Sequence, residues 1–119
     1  MTIEQQRAVG SIVVLDVSGK VVLGDGDGLL KETVSGLMKK GLTKVVLNMS
    51  AVSYVDSAGL GALVGSSLAA KKQGGVLKLL NPSKRLYDLL TMSRLLQVIE
   101  VCDSESQALA SFDVRAANS

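Results

Sequence analysis

Apolar residues fall in short β-branched runs separated by stretches of helical period. Residues 11–17, Ser-Ile-Val-Val-Leu-Asp-Val, read as a strand. Ser18-Gly19 then reads as a turn, and residues 20–23 as a second short strand. Residues 3–9 form a further candidate strand at the sheet edge. A loop freed by glycine follows, Gly24-Asp25-Gly26-Asp27-Gly28. Leu30, Val34, Leu37 and Met38 share one face of a first helix, Lys39 and Lys40 suit its C-terminus, and Gly41 stops it. Residues 44–49 form a strand whose consecutive Val45, Val46 and Leu47 imply burial on both faces. A second helix begins near Ser57 or Ala58, with Leu60, Leu63, Val64 and Leu68 on one face, and ends at Gly74-Gly75. Residues 76–80 are the next strand. Asn81-Pro82 reads as the cap and first residue of a third helix lined by Leu86, Leu89 and Leu90. Residues 98–101 make a last short strand. Ser104-x-x-Gln107 is a capping box for a fourth helix, with Leu109 and Phe112 on its apolar side.

The order β-β-α-β-α-β-α-β-α predicts an α/β fold with a mixed central sheet of four to five strands and about four helices. A chain of 119 residues fits one domain, 1–119, with its core at about 3–112 and a frayed tail from Val114 to Ser119.

Composition narrows the function classes. Nearly half the residues are apolar (47%), so disorder is not expected. The net charge is +2, and the basic residues are scattered, with no run longer than Lys39-Lys40 or Lys71-Lys72. A nucleic-acid surface wants a clustered basic stripe or interleaved aromatics, and neither is present. Cys102 is the one cysteine, which excludes an internal disulfide and fits a reducing compartment. The polar start at residues 1–7 is not a signal peptide, and Asp56 with several serines and glycines interrupts the most membrane-like stretch, 51–70. The expectation is a soluble cytoplasmic protein.

The chain contains no histidine, which removes Ser-His-Asp and Cys-His catalysis and most zinc sites. No cofactor, metal or catalytic residue is expected. The Gly24–Gly28 loop lacks the Gly-Lys-Ser/Thr of a P-loop. Leu29 stands where G-x-G-x-x-G needs its third glycine, and where a calcium loop needs an oxygen ligand. Asp27 there is favourably placed near a helix N-terminus. Gly61-x-x-x-Gly65 reads as a means for the second helix to approach its neighbours closely.

The segment with chemical promise is Tyr54-Val55-Asp56-Ser57-Ala58-Gly59-Leu60-Gly61, between a buried strand and a helix. Ser57 falls at or beside the N-cap. Serine and aspartate are good caps in their own right. The position also lies at the rim of an α/β fold, and the small Ala58, Gly59 and Gly61 would let another protein come close to the hydroxyl.

Asp56-Ser57-Ala58-Gly59-Leu60-Gly61 resembles the signature of the STAS domain family, and the likeness extends over about residues 10–112. It takes in Val45-Val46-Leu47-Asn48, Gly74-Gly75, Leu89-Leu90 through Leu95, and Ser104 to Leu109. The resemblance implies a stand-alone bacterial anti-sigma factor antagonist that acts by partner switching and is not an enzyme. Its unphosphorylated form binds an anti-sigma factor that is itself a serine kinase, which frees a sigma factor. Phosphorylation at Ser57 releases it, and a metal-dependent phosphatase resets it. Asp56, Ser57, Ala58, Gly59 and Gly61 would form the partner-binding surface. Many phospho-regulated relatives carry Gly-Glu-x-Asp before the first helix. Here the matching residues are Gly19-Lys20-Val21-Val22, and Asp25 and Asp27 are nearby substitutes at different positions. That departure leaves the partner's type open.

Two other readings stand beside this one. The chain could be an unphosphorylated STAS scaffold, or an accessory subunit of a signalling assembly or transporter, with Ser57 as a cap alone. It could also bind a nucleotide through the Gly24–Gly28 loop. A monomer or weak dimer is expected, the dimer through the exposed edge strand.

Overall fold

The computed structural model describes residues 1–117, with side chains as far as Phe112. Its elements are β1 (Thr2–Val9), β2 (Ile12–Val21), α1 (Asp27–Lys39), β3 (Lys44–Val55), α2 (Ser57–Lys72), β4 (Val76–Leu80), α3 (Lys84–Met92), a 3-10 turn (Leu95–Gln97), β5 (Glu100–Cys102) and α4 (Glu105–Ala117). The backbone is helical to Ala117, and of the frayed tail expected over 114–119 the last two positions, 118–119, lie outside the described residues.

The five strands form one sheet in chain order, β1-β2-β3-β4-β5. β1 and β2 are antiparallel, while β2–β3, β3–β4 and β4–β5 are parallel. Each parallel pair is bridged by a helix, and right-handed crossovers in a sequentially ordered sheet place all such helices on one face. The main core is consistent with this. Val13, Leu15 and Val17 of β2, Val45, Leu47 and Met49 of β3, and Leu77 and Leu79 of β4 pack with Leu30 and Val34 of α1, Leu63 of α2 and Leu90 of α3. The opposite face carries a smaller cluster, in which Val14, Val46, Leu80 and Cys102 meet Ala108 and Phe112 of α4. Val45 to Leu47 are fully buried, as a strand covered on both faces requires.

Three local expectations need correction. Ser18-Gly19 is not a turn: β2 runs unbroken through it with register shifts on either side, and Gly19 takes φ +85° inside an irregularity of the strand. The hairpin lies earlier, at Gly10-Ser11, and Leu23 falls outside the strand. Asn81-Pro82 does not cap α3. Ser83 does, accepting from the Leu86 N–H at 3.1 Å. Asn81 is held back in the left-handed region (φ +51°), where its N–H reaches the Cys102 carbonyl at 2.8 Å and its side chain donates to Ser50. The last strand is Glu100–Cys102 rather than 98–101.

Helix α4 is tied down by polar groups as well as by Phe112. Arg7 of β1 makes paired bonds to Asp16 (2.7 and 2.9 Å) and to Glu105 (2.6 and 3.0 Å), and Asn48 donates to Asp16 at 2.8 Å. The Arg7 guanidinium holds both carboxyls below the usual carboxylate range. Lys78 is completely buried under α4. Its ammonium pairs with Glu100 at 2.8 Å, donates to Ser111 and lies 4.3 Å from the Phe112 ring centre. Half of the expected capping box forms: Ser104 Oγ accepts from the Gln107 N–H at 3.2 Å, but the Gln107 side chain accepts from the Asp103 N–H (2.9 Å), one residue before the cap.

Candidate functional site

β2 and β3 continue past the end of β4 as a two-stranded ribbon, with Lys20 opposite Tyr54 and Val21 opposite Val55. This ribbon carries the loop before α1 and the start of α2 to one end of the molecule. At its tip, Asp56 takes an extended conformation and caps α2. One carboxylate oxygen accepts from the Gly59 N–H at 2.8 Å, and the other accepts from the Leu23 N–H at 3.1 Å. These two bonds, the Gly59 one first, hold the Asp56 carboxyl below its ordinary range, so it is anionic at neutral pH. The cap is therefore Asp56, and Ser57 is the first residue of the helix. That frees Ser57 from capping duty. Its side chain is exposed, and its hydroxyl bonds to none of the described residues.

The other site residues divide. Gly59 is buried, and a Cβ there would lie 1.9 Å from the Val21 carbonyl oxygen and 3.0 Å from Val55 Cγ1. Its missing side chain lets α2 sit on β2, so the protein's own packing accounts for it. Ala58 is half-buried. Gly61 is exposed, with nothing within 4 Å of the Cβ position. The expected close approach through Gly61 and Gly65 is therefore made through Gly59 instead. At Gly65 the nearest atom is Lys31 Cε at 4.0 Å.

The loop folds as a tight turn, with Val22 and Asp25 exchanging both backbone bonds at 2.9 Å. Asp25 is exposed and accepts from the Met1 amino group at 2.7 Å. Asp27 Oδ1 accepts from the Gly24 N–H at 3.1 Å and from the Gly28 N–H at 2.9 Å. Those N–H groups are thus turned to the chain's own carboxylate, which leaves a nucleotide phosphate little to bind. The Leu23–Asp56 bond brings the loop carrying Asp25 and Asp27 to the cap beside Ser57. Leu23 itself is 75% exposed, the apolar residue at this site that the strand assignment of 20–23 concealed. The Gly24 that follows it, with φ +77°, was the available sign that the strand had already ended. Tyr54 is also exposed, with the Arg85 guanidinium 5.6 Å from its ring centre.

The STAS domain model matches residues 3–108. The chain belongs to the STAS domain family. Among relatives of this STAS chain, the anti-sigma-B factor antagonist of Bacillus subtilis is 40% identical over 73 residues, 61% of the chain and 66% of that protein. The chain thus spans just under two thirds of that relative. A crystal structure of a Thermotoga maritima protein superposes with a TM-score of 0.81 at 24% identity, covering 90% of this chain and 92% of the other. The phosphorylated form of the Bacillus cell fate determinant SpoIIAA superposes with a TM-score of 0.70 at 23% identity, covering 91% and 97%. These superpositions establish the shared fold. Among the described residues, no helix is long and apolar enough to cross a membrane, and no three metal-ligating side chains cluster.

Proposed function

We propose that this STAS protein is a cytoplasmic anti-sigma factor antagonist, a non-enzymatic switch set by phosphorylation of Ser57. Without phosphate it binds an anti-sigma factor that is a serine kinase, and so releases a sigma factor. Phosphorylation ends that complex, and a phosphatase restores it. Asp56, Ser57, Ala58 and Gly61, with Asp25, Asp27 and Leu23 on the adjoining loop, make up the contact surface. The observation that carries this reading is the exposed Ser57 hydroxyl, bonded to none of the described residues, at the first position of α2. The antagonist named among its relatives supports the same reading.

The physical chemistry suits a switch without a change of fold. A phosphate adds about −1.5 to −2 charges at neutral pH. The isolated protein tolerates it, because the first-turn N–H groups and the helix dipole favour an anion. A protein packed against a neutral hydroxyl does not, since the phosphate must be desolvated next to the Asp56 carboxylate. Like charges 4 Å apart repel by about 4 kcal/mol at an effective dielectric of 20. A hundredfold loss of affinity needs about 2.8 kcal/mol.

Mass spectrometry of protein purified from its own cells tests the modification: one phosphate mapped to Ser57 is expected, and none in Ser57→Ala. Ser57→Asp is expected to lose the anti-sigma factor that wild type and Ser57→Ala capture, with its melting temperature close to wild type. Retention of the kinase by Ser57→Asp would rule the switch out.

A further inference from the structure

We infer that the groove between α1 and α2 binds a small amphiphilic carboxylate of the medium-chain fatty acid type. The groove holds about 350 Å³, within the range of small-ligand sites, which runs from about 300 to 1,000 Å³. It exists because α2 turns small residues toward α1. Gly65, Ala69 and Ala70 face Val34 and Met38 across it, giving a mainly apolar trough. In its wall stands Ser66, which is 3% exposed and whose hydroxyl has no hydrogen-bond partner among the described residues. A helical serine often bonds the carbonyl one turn back. Ser66 makes no such bond, and a buried hydroxyl left unsatisfied is costly. A ligand oxygen in the groove would satisfy it.

Charge selects the ligand's sign. Lys31 lines the groove, with its stem laid over Gly65 (Cε lies 4.0 Å from the Cβ position there), and its side chain is exposed. Its ammonium can therefore pair with the same carboxylate whose oxygen Ser66 bonds, while the ligand's chain occupies the rest of the apolar trough. Among the described residues, no acidic side chain lines the groove to oppose it. The inference rests on these residues alone and is independent of the role proposed for Ser57.

Octanoate, well below the concentration at which it self-associates, is the probe, followed by amide and methyl NMR shifts of the full chain. Saturable shifts are expected below about 1 mM, confined to residues 31–38 and 65–73. The neutral 1-octanol should bind more weakly, and Lys31→Met should weaken octanoate about threefold. Ser66→Ala should weaken it about tenfold, with a urea midpoint no lower than wild type, since the variant removes an unsatisfied hydroxyl. Ala69→Phe, which fills the trough, should abolish the shifts. No saturation at 5 mM octanoate (about five times the expected ceiling), shifts spread over the whole surface, equal binding of 1-octanol, or indifference to Ser66→Ala would each overturn the inference.

Discussion

Gly59 and Gly61 stand two residues apart at the start of α2, one turned to the sheet and the other to solvent. At Gly59 there is no room even for a methyl group, because the Val21 carbonyl oxygen lies 1.9 Å from where a Cβ would go. At Gly61 the same space is empty to 4 Å. Both belong to the hexapeptide that resembles the STAS signature. The inner glycine serves the fold, and the outer one leaves a surface open beside Ser57. Asp56 joins the two sides, fixing the helix start with one oxygen and the loop of Leu23 with the other. A motif that reads as one functional unit is thus, physically, a packing residue, a cap and an exposed face.

The largest effect should come from Gly59→Ala. The clash is with backbone that cannot swing aside, so the cost should reach about 3 kcal/mol, the upper part of the range for overpacking. Urea denaturation checks it, and a near-neutral result would remove the inner half of the contrast.

The next test is pH. The folded Asp56 carboxyl lies below its ordinary value, so its contribution to stability is complete above the ordinary carboxylate range. It is lost as pH falls through the lowered folded value. Asp56→Asn keeps cap geometry without titrating. Wild type should therefore be the more stable at pH 7, with the gap closing in strong acid. Because Asp16 and Glu105 are common to both proteins, the difference in urea midpoints isolates the cap. A constant gap from pH 7 to 2 would count against it.

The smallest effect belongs to Gly61→Ala. With open space and a helical position, alanine should raise stability by about 0.5–1 kcal/mol. If the outer face receives an anti-sigma factor, the same change should lower affinity for it, so stability and binding would move in opposite directions. Calorimetry with the purified anti-sigma factor reads both.

Much of this was legible in the chain, because α/β architecture depends on period and punctuation. The helical faces of Leu30, Val34, Leu37 and Met38, and the doubly buried Val45 to Leu47, lie where their spacing placed them. Local signals failed where two structures ask for the same residues. Gly19 suits a turn or an irregular strand, since both need a positive φ. Asn81-Pro82 fits a cap until β5 and Ser50 claim the asparagine. Contacts between distant residues left no local trace. Arg7 meets Glu105 across 98 positions, and nothing near Lys78 announces that Glu100, Ser111 and Phe112 will surround its ammonium. Gly59 was read as open because its obstruction, the Val21 carbonyl, comes from another strand.

The sheet's strands lie side by side in the order in which the ribosome makes them. During synthesis each new strand can dock on the rim left by its predecessor, and none has to be threaded between two that have already zipped together. Growth in that direction would bring the Ser57 tip into being before the second half of the chain has emerged. The Arg7–Glu105 clasp joins the first strand to the last helix, and so would be the final stitch of assembly.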